Sequence, residues 1–199
     1  MKKYFVTGID TDSGKTVASA ILVEKLKADY WKPIQAGEPT DSDAVRRMVG
    51  SDKVIHPEGI VLAAPMSPHA AAKLENIDLR ADQLKVPVTE NTLIIEGAGG
   101  LLVPINDDEF VINLARQFDA EVILVSRNYL GSINHTMLSI SYLKDKGFNI
   151  AGIIFNDTPN PETERFILQY SQLPCLGRIE PLTTVDPSTI QSQLKNINL

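Results

Sequence analysis

The sequence has a single cysteine, Cys175, among 199 residues. One thiol cannot close an internal disulfide, which excludes a small cross-linked secreted scaffold and suits a reducing cytoplasm. Between Leu173-Pro174 and Leu176-Gly177, Cys175 is expected to be a buried small apolar residue rather than a nucleophile. Positive charge is not in excess either. Nineteen Lys+Arg against 25 Asp+Glu leave a net charge of -6, the wrong sign for a general nucleic-acid binder. No apolar run approaches the length of a membrane span. The N-terminus reads directly as a strand, without the apolar core of a signal peptide. Internal repeats and low-complexity linkers are missing too. What remains is a composition ordinary for a globular protein, 43% apolar and 22% charged, read as one domain over 1–199 with a cytoplasmic location.

The stretch around which the chain is organised is Gly8-Ile9-Asp10-Thr11-Asp12-Ser13-Gly14-Lys15-Thr16. The preceding Lys2–Thr7 is apolar in its middle and too short for a helix, so it reads as a strand. After it, Val17, Ala18, Ala20, Ile21, Leu22 and Leu26 recur at helical spacing. A glycine-flanked loop between a strand and a helix N-terminus is the setting of a phosphate-binding loop. Unpaired backbone N–H groups and the positive end of the helix dipole point at such a loop. Lys15 adds a mobile cation, and the Thr16 hydroxyl is a candidate Mg²⁺ ligand. The common pattern has four residues between its first glycine and Gly-Lys-Thr. Here there are five, and Ile9 stands where a glycine is expected.

Downstream, Tyr30, Trp31 and Ile34 suggest a short second strand ended by Pro33, with Lys32 at its terminus. Taken alone, Lys32 reads more readily as a solvated lysine. Thr40-Asp41-Ser42-Asp43 leads into a helix near 43–49, where Asp43 also suits a first-turn acid. Ser67-Pro68 starts a helix reaching about Leu74, and His69 reads as a structural hydrogen-bonder. A further short helix is expected at 78–84. Thr92–Glu96 is an apolar strand ending in an acid, followed by Gly97-Ala98-Gly99-Gly100. Beside a phosphate loop, such an acid is where Mg²⁺ is held or its water oriented. An extended segment over 101–105 and helices near 110–118, 132–143, 162–170 and 187–195 are expected, with strands at 121–126, 150–155 and 174–177. Strands alternating with helices imply an α/β fold: a parallel sheet with helices on both faces. Strand ends then gather near 8, 32, 96, 126 and 156, along one edge.

Together these pieces resemble the dethiobiotin synthetase family. The matching segments are Tyr4–Gly8 with the five-residue gap to Gly14-Lys15-Thr16, Lys32-Pro33 before Gly37, Ser42-Asp43, Ser67-Pro68-His69, Glu96–Gly100, Gly131 with Ile133-Asn134-His135, and Asn156-Asp157. They cover nearly the whole chain, and the unusual loop length belongs to the family. The resemblance implies a P-loop NTPase-like fold and an ATP-dependent ligase of biotin biosynthesis. Its diamine substrate, 7,8-diaminononanoate, would take up CO₂ as a carbamate, which ATP phosphorylates before the second amine closes a cyclic urea. Lys32, Lys15 and Thr11 would be catalytic. ATP would be bound by Asp12, Ser13, Gly14, Lys15, Thr16, Val17, Asp43, Glu96, Gly97, Ala98, Gly99, Asn156, Asp157, Glu180, Pro181 and Leu182. Mg²⁺ would be held by Thr16, Asp43 and Glu96. The diamine would meet Thr11, Lys32, Ala36, Leu130, Gly131 and Asn134, the last three reaching in from the second subunit of a homodimer. Ala36 stands where the family often has a hydroxyl residue.

The competing class is a nucleotide-driven switch that positions cell-division or plasmid machinery. Such switches usually carry another lysine early in the loop, where this chain has Ile9 and Asp10. Their membrane-bound forms end in a basic amphipathic helix, which Gln191–Asn196 is not.

Overall fold

The computed structural model describes residues 1–199. Six strands form one parallel sheet in the order β2-β5-β1-β6-β7-β8. These are β1 (Lys3–Gly8), β2 (Asp29–Trp31), β5 (Leu93–Gly100), β6 (Glu121–Arg127), β7 (Ile150–Asn156) and β8 (Cys175–Ile179). The remaining pair, β3 (Ile34–Ala36) and β4 (Ile60–Leu62), makes a separate parallel ladder. The helices are α1 (Lys15–Leu26), α2 (Asp41–Met48), α3 (Pro68–Leu74), α4 (Asn113–Gln117), α5 (Ser132–Asp145), α6 (Pro161–Ser171) and α7 (Pro187–Gln193). None is long and apolar enough to cross a membrane.

Successive side chains of a strand point to opposite faces, and the core divides accordingly. Phe5, Trp31, Ile95, Leu124 and Phe155 belong to one buried cluster. Tyr4, Val6, Tyr30, Ile94, Val125 and Ile154 belong to the other, with Ile21 and Leu22 of α1. Strands buried on both faces need near-continuous apolar runs, which is what β5, β6 and β7 carry.

The second strand divides where a single one is expected. Pro33 has no N–H to continue the β2 ladder. The Lys32 and Pro33 carbonyls instead accept from Gly59 and Ile60 N–H at 3.1 and 3.0 Å, and the chain passes into the β3–β4 ladder. Of the extended segment expected at 101–105, Leu101 and Leu102 form a turn, and Pro104 pairs with Phe110 in an isolated antiparallel bridge. The chain there doubles back, with the Val111 N–H on Val103 O and the Ile105 N–H on Glu109 O, both at 2.8 Å. That hairpin uses up the start of the helix expected at 110–118, leaving α4. The helix expected at 78–84 is one 3₁₀ turn, Ala81–Gln83, tied down by Gln117 Nε2 on Ala81 O at 2.7 Å. Cys175 is exposed rather than buried: β8 is an edge strand, and Cys175 lies at its start with Leu176 turned to the core.

Candidate functional site

β1 delivers the phosphate loop and α1 receives it. Two glycines are needed for that path. A Cβ at Gly8 would overlap the Ser13 hydroxyl, and Gly14 has φ +93°, with the Asn156 amide where its Cβ would be. Asn156 lies at the end of β7 and donates from Nδ2 to Ser13 O at 2.8 Å, so it closes the loop from behind. Its Oδ1 accepts the Asp157 N–H at 2.9 Å. The Lys15 ammonium curls back onto the loop carbonyls of Thr11 at 2.6 Å and Asp10 at 3.1 Å. Burial lowers its pKa to about 8, with Lys32 pushing the same way and Glu96, Asp41 and Asp12 opposing.

In front of the loop, Thr16, Lys32, Asp41 and Glu96 form one cluster. The Thr16 hydroxyl lies 2.9 Å from Glu96 Oε1 and 3.4 Å from Asp41 Oδ1. The Lys32 ammonium is 2.5 Å from Asp41 Oδ2 and 3.3 Å from Glu96 Oε1, and it donates to Gly97 O at 3.1 Å. Burial works against the Lys32 charge, but the Glu96 and Asp41 carboxylates outweigh it and hold its pKa above the ordinary lysine value. The Tyr30 hydroxyl donates to Glu96 Oε2 at 3.0 Å. Burial, followed by the charges of Glu96 and Asp41, holds that phenol protonated well above the usual range.

Asp43, expected beside the metal, stands elsewhere. Thr40 caps α2 by accepting the Asp43 N–H at 3.1 Å. This puts Asp43 on the outer face, exposed and paired with Arg46 at 2.5 Å. Asp41 occupies the inner position, two residues earlier. Gln35 fixes it by accepting the Asp41 N–H at 3.1 Å while donating to Gly37 O at 2.9 Å. No local spacing separates the two acids, because the Gln35 contact that holds the Asp41 backbone comes from β3.

A cleft of about 550 Å³ opens over this cluster. Thr11, Asp12, Lys15, Thr16, Lys32, Ala36, Asp41, Glu96, Ala98 and Gly99 are among the residues that line it. Gly97 does not line it and meets the cluster only through its carbonyl, which accepts from Lys32. The Thr16 hydroxyl and the carboxylates of Asp41 and Glu96 converge at one point in the cleft. That donor set fits Mg²⁺, which is usually bound by one or two carboxylates and completes its shell with waters and substrate phosphates. A second cleft, about 290 Å³, lies on the far side of the loop and contains Asp12, Val17, Asn156, Asp157, Glu180, Pro181 and Leu182. Arg127, Ile179 and Val185 also line it and were not expected from the sequence; Arg127 Nε donates to Asp157 Oδ2 at 2.8 Å.

Leu130, Gly131 and Asn134 are not brought to either cleft. They line a third, open one of about 820 Å³ at the start of α5. Leu130 is fully exposed. The first N–H groups of α5 on Ser132 and His135 go to Tyr129 O and Gly131 O, leaving those of Ile133 and Asn134 without an acceptor.

Residues 2–189 match the family model of an AAA domain. The chain is 52% identical over 184 residues to the ATP-dependent dethiobiotin synthetase BioD of Cytophaga hutchinsonii, covering 91% of this chain and 89% of that one. It is 41% identical over 192 residues to the BioD protein of Paramagnetospirillum magneticum, covering 96% and 93%. Among solved structures, the septum site-determining protein MinD of Pyrococcus horikoshii superposes with a TM-score of 0.59 at 16% identity, over 99% of this chain and 86% of that one. A ParA family ATPase from Chlorobium tepidum gives 0.54 at 15%, over 96% and 90%. Those two likenesses concern the fold.

Proposed function

Since the chain belongs to the ATP-dependent dethiobiotin synthetase family, we propose that the cleft over Lys15, Lys32 and Glu96 is where its ring closure takes place. The activity is the ATP-driven formation of the cyclic urea of dethiobiotin from 7,8-diaminononanoate and CO₂, with release of ADP and phosphate. One amine of the diamine carries CO₂ as a carbamate. A carbamate oxygen takes the γ-phosphoryl group, and the second amine attacks the activated carbon and expels phosphate.

Each step asks for charge neutralisation more than for covalent help. The loop N–H groups and the N-terminus of α1 receive the phosphates. Lys15 leaves the Thr11 and Asp10 carbonyls for the outer phosphates. Lys32 approaches from the opposite wall and stabilises charge on the carbamate and the transferring phosphoryl group. Thr11, on the same cleft, orients the carbamate, and Ala36 leaves that wall without a hydroxyl. Mg²⁺ would be held by Thr16, Asp41 and Glu96, and would supply charge neutralisation at the phosphate oxygens. The second cleft takes the adenine, with Val17, Asp157 and the Glu180-Pro181-Leu182 loop around the base. The amide of Asn156 keeps one N–H and one lone pair free for the base edge.

The substrate's distant carboxylate would go to the Ile133 and Asn134 N–H groups of a second subunit in a homodimer. Within one chain Leu130, Gly131 and Asn134 share no cleft with Lys32, so a site combining them needs two chains.

The observation that carries this reading is the pair of buried ammonium groups, Lys15 and Lys32, on one cleft with Thr11. It is tested by measuring ADP release with ATP and Mg²⁺ while adding diamine and bicarbonate singly and together. Release is expected only with both. Rapid release without diamine would favour a nucleotide switch.

A further inference from the structure

Three side chains touch the Glu96 carboxylate, and they divide its oxygens unequally. Thr16 and Lys32 both meet Oε1, at 2.9 and 3.3 Å. Oε2 is met by the Tyr30 hydroxyl alone, at 3.0 Å. That hydroxyl has no other polar partner, and neither Tyr30 nor Glu96 is exposed beyond 1%. The ring belongs to the apolar cluster of Ile21, Leu22, Val45 and Ile94.

The backbone explains why the hydroxyl arrives there. β2 runs parallel to β5 with Tyr30 opposite Ile94. The two-residue period then sets Tyr30 and Lys32 on the same face as Ile94 and Glu96. On its other side, the Tyr30 backbone is tied to Val54 O and the His56 N–H, both at 2.9 Å. Tyr30 is therefore held from both sides, and its phenol has little freedom to leave Oε2.

A buried carboxylate offers about four acceptor sites. With no donor on Oε2, Glu96 either leaves that oxygen unsatisfied or turns to give both oxygens to Lys32, and each outcome disturbs the face that Oε1 presents to Thr16. We propose that Tyr30 is a positioning residue of the reaction: its hydroxyl fixes Glu96 so that Oε1 faces Thr16 and the divalent cation bound there. This rests on the reading that Glu96 holds the cation.

The test is Mn²⁺ affinity in the presence of ADP, measured by electron paramagnetic resonance on four proteins: the unaltered chain, Tyr30→Phe, Glu96→Gln and the double variant. Tyr30→Phe is expected to weaken Mn²⁺ binding on the order of tenfold, the usual effect of removing an outer-shell partner of a metal ligand. It should lower kcat by a similar factor with KM for the diamine within about twofold. In the Glu96→Gln background the same change should add nothing. If Glu96→Gln leaves Mn²⁺ affinity intact, the metal reading itself fails. If Glu96→Gln weakens it but Tyr30→Phe does not, or if the two losses simply multiply, Tyr30 is a packing residue and the proposal falls. Should Tyr30→Phe not fold cooperatively, Tyr30→Met also removes the hydroxyl while keeping an apolar side chain, and is read in the same four-way comparison.

Discussion

Lys32 and Glu96 form an ion pair at 3.3 Å in which the lysine side chain is 3% exposed and the glutamate not at all. Two buried charges persist only when each is paired and hydrogen-bonded, and Asp41, Gly97 O, Thr16 and Tyr30 complete that requirement here.

Removing the lysine therefore has two separable effects. Lys32→Ala is expected to lower turnover on the order of 10²-fold or more while ATP binding changes little, as for a preorganised electrostatic donor. It should also destabilise the ligand-free protein by roughly 3 kcal/mol, because two carboxylates are left facing each other. Steady-state kinetics and thermal unfolding read the two effects. Near-normal turnover would return Lys32 to a structural role.

The two aspartates of α2 should part company. Asp41→Asn is expected to reduce turnover by at least tenfold and to raise the Mg²⁺ concentration needed for half-maximal rate. Asp43→Asn removes only an exposed pair with Arg46 and should cost under about 1 kcal/mol with little change in rate. Equal losses from both substitutions would contradict the assignment.

Asn156 has two tasks, so Asn156→Ala should show both. Loss of its bond to Ser13 O loosens the phosphate loop and raises KM for every nucleotide. Loss of the base contact narrows the preference for ATP over GTP. Equal increases for both nucleotides would leave Asn156 with the loop alone.

A site shared between subunits predicts recovery on mixing. If Lys32→Ala and Asn134→Ala are each nearly inactive, a mixed dimer collects both defects in one site and none in the other. Random exchange makes about half the dimers mixed, so about a quarter of full activity should return. Activity at background after confirmed exchange would assign residues 130–134 to their own chain.

Away from the cleft, Asp29 begins β2 with Thr89 Oγ1, Asn91 Nδ2 and His56 Nε2 on its carboxylate at 2.6, 2.9 and 3.1 Å. Burial opposes ionisation, but these partners win and hold its pKa below the ordinary 3.8. A lowered folded pKa contributes stability that is complete above about pH 5 and disappears as pH falls through the folded value. Asp29→Asn should accordingly lower Tm at pH 7, with the gap closing below pH 4. A gap independent of pH would mean that the loss is one of packing.

The phosphate loop, the Glu96 strand end and the α/β order were legible because each depends on local spacing. The division of β2 from β3 was half legible: Pro33 marks the break, but which partner strand the chain joins next depends on residues 59–62, too short an apolar run to read. Asp43 was misread because Asp41 and Asp43 differ only in which side of the first α2 turn faces the cleft, and the Gln35 contact that decides it is tertiary. From the sequence Tyr30 is legible only as a residue of the second strand. Its hydroxyl acquires a role only once β2 and β5 are known to be neighbours.

The β3–β4 ladder has a consequence for how this enzyme can diversify. It carries Ala36–Pro39 and leads toward Pro65–Pro68, which form the cleft wall remote from the phosphate loop, yet it is a separate sheet from the one that registers Lys15, Thr16 and Glu96. Loops at the tips of a small ladder tolerate changes of length and sequence better than the strands of a central sheet. On the proposed reading of the cleft, varying Glu38, Met66 and Ser67 while keeping Gly37, whose carbonyl holds the Gln35 amide that fixes Asp41, is a route to accept diamines of other lengths or substitution.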